Sequence, residues 1–131
     1  MSEETTEDTV ETRTGRIWLA DGFLYVSYDP GAELDVEDAH ADTDIMQMLA
    51  GGRRRPALVD ISRVKKVSAE ARRVYAGPRL SDSVVALALV VGSPVSRIIG
   101  NFYLGINRPR SETRLFGSRS EARAWLAGFV T

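Results

Sequence analysis

Eight consecutive apolar residues, VVALALVV at positions 84–91, constrain this chain more than any other feature. The run is far shorter than the roughly 20 residues that a membrane helix requires. It is apolar at every position rather than every second one, which is the pattern of a strand covered on both faces by helices. The chain is therefore predicted to be α/β, with this segment in the middle of its sheet.

The flanking pattern agrees. GRIWLA at 15–20 and FLYVSY at 23–28 are joined by Asp21-Gly22, a strong two-residue hairpin signal. Asp35 precedes a helix predicted over 36–50, with Val36, Ala39, Thr43, Met46 and Ala50 on one face and acids near its positive end. Gly51-Gly52 stops it. PALVDIS, bounded by Pro56, reads as a buried third strand. Ser68 is placed to cap a helix that Gly77-Pro78 stops or bends. Ser93 and Pro94 open the next helix, whose stripe of Val95, Ile98, Ile99, Phe102 and Ile106 is expected to face the core. Gly100 inside it suggests a close approach to the sheet or a hinge. ETRLF at 112–116 is a short strand, and Ser118-x-x-Glu121 opens a last helix that buries Ala122, Trp125, Leu126 and Phe129. The expected order is β-β-α-β-α-β-α-β-α: a mixed sheet of about five strands, partly parallel, with four helices. Residues 1–12 are expected to be a disordered acidic tail and 13–131 a single domain.

Composition narrows the chemistry. With no cysteine there is no disulfide framework, thiolate nucleophile or Cys-based metal site, and a reducing cytoplasm is the simplest home. The acidic start lacks the basic and apolar regions of a signal peptide, so neither export by that route nor membrane insertion is expected. Residues 1–44 carry 13 acids against 2 Arg, whereas 53–131 carry 15 basic residues against 5 acids. The basic residues are dispersed, and no stacking aromatics or helix-turn-helix pattern accompanies them, so they are read as solvated surface rather than a nucleic-acid site. His40, the only histidine, sits on the acidic helix with no G-x-S-x-G elbow anywhere, which argues against a nucleophilic triad. The carboxylates at 33, 35, 37, 38, 42 and 44 are read as that helix's solvated face, since no calcium-loop spacing is present. No phosphate-loop motif follows a strand. No metal, cofactor or catalytic group is expected, and the chain is read as not an enzyme.

The candidate site lies elsewhere. In open α/β sheets ligands gather beyond the carboxyl ends of parallel strands. Asp60 and Ser62 close the third strand, Ser68 opens the helix after it, and Ser93 opens the helix after the fourth. If those strands are neighbours, the four share an edge suited to an anion or a partner's carboxylate. The plainer alternative is that Asp60 accepts backbone N–H groups and only shapes its loop. Arg97 and Asn101 share a helix face opposite the apolar stripe. The first hairpin strand, with Trp18 and the Phe23/Tyr25 pair, is a candidate homodimer edge.

Four segments, VDISRV, VSAEAR, SPVSRIIGNF and RLFGSRSEARAWL, together with the element order, resemble the STAS superfamily. This group includes anti-sigma-factor antagonists and SEC14-like bacterial domains, and the likeness runs over about residues 13–129, closest to small uncharacterised bacterial members. The resemblance implies a regulatory protein-interaction module that presents the edge around Asp60, Ser68 and Ser93 to a protein partner. It also implies a phosphorylated serine opening the helix after the third strand. Ser68 stands beside that position and is the candidate phosphorylation site, but Ala69 or Glu70 occupies the position itself; either Glu70 imitates a permanent negative charge or the switch is absent, and absence is expected. The SEC14-like members imply an alternative, binding of an apolar small molecule or lipid beneath the helix at 94–106.

Overall fold

A computed structural model describes residues 9–130. Asp21 and Gly22 both take positive φ, 54° and 83°, the backbone of a tight primed turn. They join β2 (Gly15–Ala20) to β3 (Phe23–Tyr28) in an antiparallel pair with Ala20 opposite Phe23. Ahead of them β1 (Val10–Glu11) pairs with Ile17 and Arg16, so ordered structure begins inside the segment expected to be a tail. Residues 1–8 of that expectation lie outside the described residues.

After the two-residue β4 (Glu33–Leu34) comes α1 (Val36–Ala50), at the predicted bounds, ended by Gly51 at φ 65°. Then follow β5 (Arg55–Asp60), β6 (Lys66–Val67), α2 (Ala69–Tyr75) and α3 (Pro78–Ser81). Gly77 ends one helix, and Pro78 begins a second because its fixed φ suits the first helical position. β7 (Val84–Val90), α4 (Pro94–Phe102), a π-helical turn at Tyr103–Asn107, β8 (Glu112–Phe116) and α5 (Arg119–Leu126) complete the order.

The main sheet has six strands in the order β1-β2-β3-β5-β7-β8, parallel from β3 onward, and β4 and β6 form a small parallel ladder beside it. β7 is buried on both faces as predicted. Leu87 and Leu89 pack with the core beneath α1 and α2, while Ala86, Ala88 and Val90 pack with Ala122 and Leu126 of α5. It is second from an edge rather than central, because one strand lies beyond it and four lie on its other side.

Two expectations about faces are overturned. The aromatic residues of the hairpin are core rather than dimer edge, since Trp18, Phe23 and Tyr25 are at most 8% exposed. More consequential is α4, where Ile99 packs against the core as expected but the other four residues of the apolar stripe point outward. Val95, Ile98, Phe102 and Ile106 are 47, 57, 46 and 67% exposed, whereas Ser96, Gly100 and Tyr103 face inward. A Cβ at position 100 would stand 2.9 Å from Leu115 Cδ2, so the helix backbone seats on the sheet through its glycine. Small residues bring the backbone close, Ile99 and Tyr103 pack inward beside them, and the other four large apolar side chains are left on the outside.

Candidate functional site

β3 and β5 run parallel and adjacent, so Ser27 and Asp60 come into register at their carboxyl ends. Asp60 Oδ1 accepts from the Ser62 backbone N–H at 2.9 Å and from the Ser62 hydroxyl at 2.6 Å. Its Oδ2 accepts from Arg119 Nε at 2.9 Å, and Arg119 Nη2 also reaches Ser27 Oγ at 3.4 Å. Burial pushes the Asp60 carboxyl up, but the Ser62 hydroxyl and amide together with Arg119 outweigh it and hold the group below the usual carboxylate range. These residues, with Tyr28 and Arg63, line a polar recess of about 320 Å³. Two guanidinium groups, one carboxylate and two hydroxyls suit a polar or anionic group. Among the described residues no cluster of three or more His, Asp or Glu side chains is arranged to hold a metal ion.

The predicted edge is thus assembled in part. Asp60 and Ser62 line the recess, and a Cβ on Gly92 would lie 3.1 Å from Ser62 Cβ, which brings the turn before Ser93 against its wall. Ser68 and Ser93 serve as helix caps. Ser68 Oγ accepts from the Ala71 N–H at 3.1 Å. Ser93 Oγ accepts from the Ser96 N–H at 3.0 Å, and Ser96 Oγ accepts in return from the Ser93 N–H at 2.9 Å. Arg97 and Asn101 are exposed on the flank of α4 away from Val95, Ile98 and Phe102. Asp60 does shape its loop, as the plainer alternative holds, while also facing the recess. Arg119, Ser27 and Arg63 were missed. Arg119 opens α5 just past the end of β8, so the rule that carboxyl ends of parallel strands share an edge makes it a candidate, and the strand order places it beside Asp60.

Beneath α4 lies an apolar cavity of about 50 Å³, bounded by Val26, Met46, Leu87, Leu89, Ile99 and Tyr103 among others. Beside it Tyr28 and Tyr75 each donate a hydroxyl hydrogen bond of 2.7 Å to Asp42 Oδ2. Asp42 is 1% exposed, and burial pushes its carboxyl up despite the two hydroxyls. Asp42 and Asp38 are therefore not part of a solvated face. Asp38 is buried at the start of α1, where it accepts from the Asp35 N–H at 2.9 Å and pairs with Arg13.

Compared with solved structures, the chain is similar to an uncharacterised protein of the DUF3478 family from Shewanella loihica PV-4 that has a SpoIIAA-like fold. The TM-score is 0.57 at 18% identity, over 84% of this chain and 90% of that one. The fold is accordingly SpoIIAA-like, in agreement with the STAS-like arrangement that the sequence implies. A protein of unknown function from Arthrobacter sp. FB24 is 32% identical over 85% of this chain and 97% of that chain, with a TM-score of 0.33. No curated protein matches. No helix among the described residues is long and apolar enough to cross a membrane. A family model described as a domain of unknown function, DUF7793, matches residues 17–130, and the chain belongs to that family.

Proposed function

We propose that the chain is a non-catalytic regulatory module that binds a protein partner on the outer face of α4. The observation that carries this reading is the orientation of that helix: Val95, Ile98, Phe102 and Ile106 line up in solvent while the core is contacted through Gly100 and the half-buried Ile99. A contiguous row of large apolar side chains on a surface marks an interaction site. Burying the exposed half of each side chain contributes roughly 1 kcal/mol, or about 4 kcal/mol for the row, which alone amounts to millimolar affinity. The partner therefore also engages polar groups around the row, and the nearby recess at Asp60 and Arg119 is a second contact. A photo-reactive residue at position 98 in the native host should crosslink one partner, and the purified pair should associate. Ile98→Glu and Phe102→Glu should abolish that association with little change in melting temperature. Full binding by both variants would sink the reading.

A second reading, carriage of an apolar small molecule under α4, is supported by the cavity that Ile99 and Tyr103 close. At about 50 Å³ it is a third of the roughly 150 Å³ that accommodates benzene. A lipid would enter only if α4 lifted from its seat. Native mass spectrometry of the purified chain checks this: a co-purified apolar adduct supports carriage, and a bare chain counts against it.

A further inference from the structure

We infer that the partner surface that docks on α4 is an acidic amphipathic helix; this rests on the protein-interaction reading above and adds the chemistry of the partner. The charge around the row is one-sided. Between Asp82 and Glu112 the chain has Arg97, Arg108 and Arg110 and no carboxylate. β6, which runs alongside α4, adds exposed Lys66, and the guanidinium of Arg72 lies 5.7 Å from the centre of the Phe102 ring. Glu70 in the first turn of α2 is the nearby exception. An apolar row with a basic rim is complementary to a helix whose apolar stripe is bordered by Glu or Asp, and such rims select partners by repelling the wrong sign.

The same one-sidedness speaks against a second copy. A twofold pairing of α4 with itself would set this basic rim against the basic rim of the second copy, because a twofold contact uses the same patch on both sides. The shape of the row speaks against a membrane surface. Its side chains are half sunk, with Phe102 held under Arg72, whereas insertion among lipids needs an apolar face that reaches several ångströms into the headgroup region. Val95 to Ile106 spans about 16 Å of helix, a length that a partner helix of three turns covers.

The test uses the full chain with two synthetic helical peptides that share one leucine stripe, one bordered by Glu and the other by Lys, and with vesicles of anionic phospholipid. Fluorescence anisotropy of labelled peptide should show the Glu-bordered peptide binding about tenfold or more tighter, an advantage that shrinks in about 0.5 M salt. The double change Lys66→Glu and Arg108→Glu, both at exposed side chains, should reverse the preference without moving the melting temperature. Ile98→Glu should abolish binding of either peptide. Equal affinity for the two peptides, or retention on the vesicles in preference to the Glu-bordered peptide, would overturn the acidic-helix assignment and leave the α4 surface standing. Failure of both peptides to bind, or binding indifferent to Ile98→Glu, would overturn that surface as well.

Discussion

Replacing Tyr28 and Tyr75 together by Phe should destabilise the protein in a strongly pH-dependent way. The two hydroxyls each donate 2.7 Å hydrogen bonds to the same oxygen of Asp42, a carboxyl group that solvent barely reaches. A hydrogen bond to a charged group contributes about 1.5–3 kcal/mol, so losing both removes about 3–6 kcal/mol from the ionised form. Without the two donors the folded-state carboxyl should climb further above its already raised position, because only the ionised form loses that much. The sign follows from linkage. A folded-state value above the unfolded one favours the protonated acid, so this contribution is fully present below about pH 4 and is lost as pH rises through the folded value. The variant should extend that loss to higher pH. Urea unfolding followed by the fluorescence of Trp18 and Trp125 should show a small deficit, about 1–2 kcal/mol, near pH 4.5 and a deficit of about 3–6 kcal/mol near pH 8. Adding Asp42→Asn to the double variant should remove the pH dependence. Equal deficits at the two pH values would refute the reasoning, because they would mean that the tyrosines do not hold an ionised Asp42.

Two further outcomes are expected from changes away from that cluster. Asp60 has a lowered carboxyl pKa, so its contribution is present above about pH 4 and is lost as pH falls through the folded value; Asp60→Asn should flatten the acid limb of the stability curve by about 1 kcal/mol in urea titrations between about pH 3 and 6. Gly100→Ala presses only on the flexible end of Leu115 and gains about 1 kcal/mol of helix propensity, so its melting temperature should stay close to that of the parent, whereas Gly100→Leu should cost about 1–3 kcal/mol; a Leu variant as stable as the parent would mean that α4 is not seated through this residue.

What could be read from the residues in advance was whatever local chemistry decides. Asp21-Gly22 determined a turn, Ser68, Ser93 and Ser118 marked helix starts, and Gly51 marked a helix end, because each supplies its own cap or backbone angle. The orientation of α4 was misread for a physical reason. Periodicity identifies which residues share a stripe, but the direction of that stripe depends on which side lets the backbone approach the sheet, and Ser96 with Gly100 made the opposite side the closer fit. Asp42 was misread because its acceptor role depends on tyrosines 14 and 33 positions away. Asp60 and Ser62 were found by the rule for strand ends, while Arg119, 59 residues beyond Asp60, needed the order β3-β5-β7-β8 before it could be placed beside them. The two-residue strand at Val10–Glu11 is too short for any pattern to announce it.

Because α4 packs against the core through Gly100 and the half-buried Ile99 while Val95, Ile98 and Phe102 stay outside, it buries less apolar area than the strands beneath it, and a segment so held opens at a lower free energy than they do. In deuterated solvent its amide hydrogens should be replaced well before those of β7, as one group rather than one at a time. Occupation of its outer face would clamp the helix down, so the exchange rate of these few amides reports, from inside the fold, whether a partner is in place.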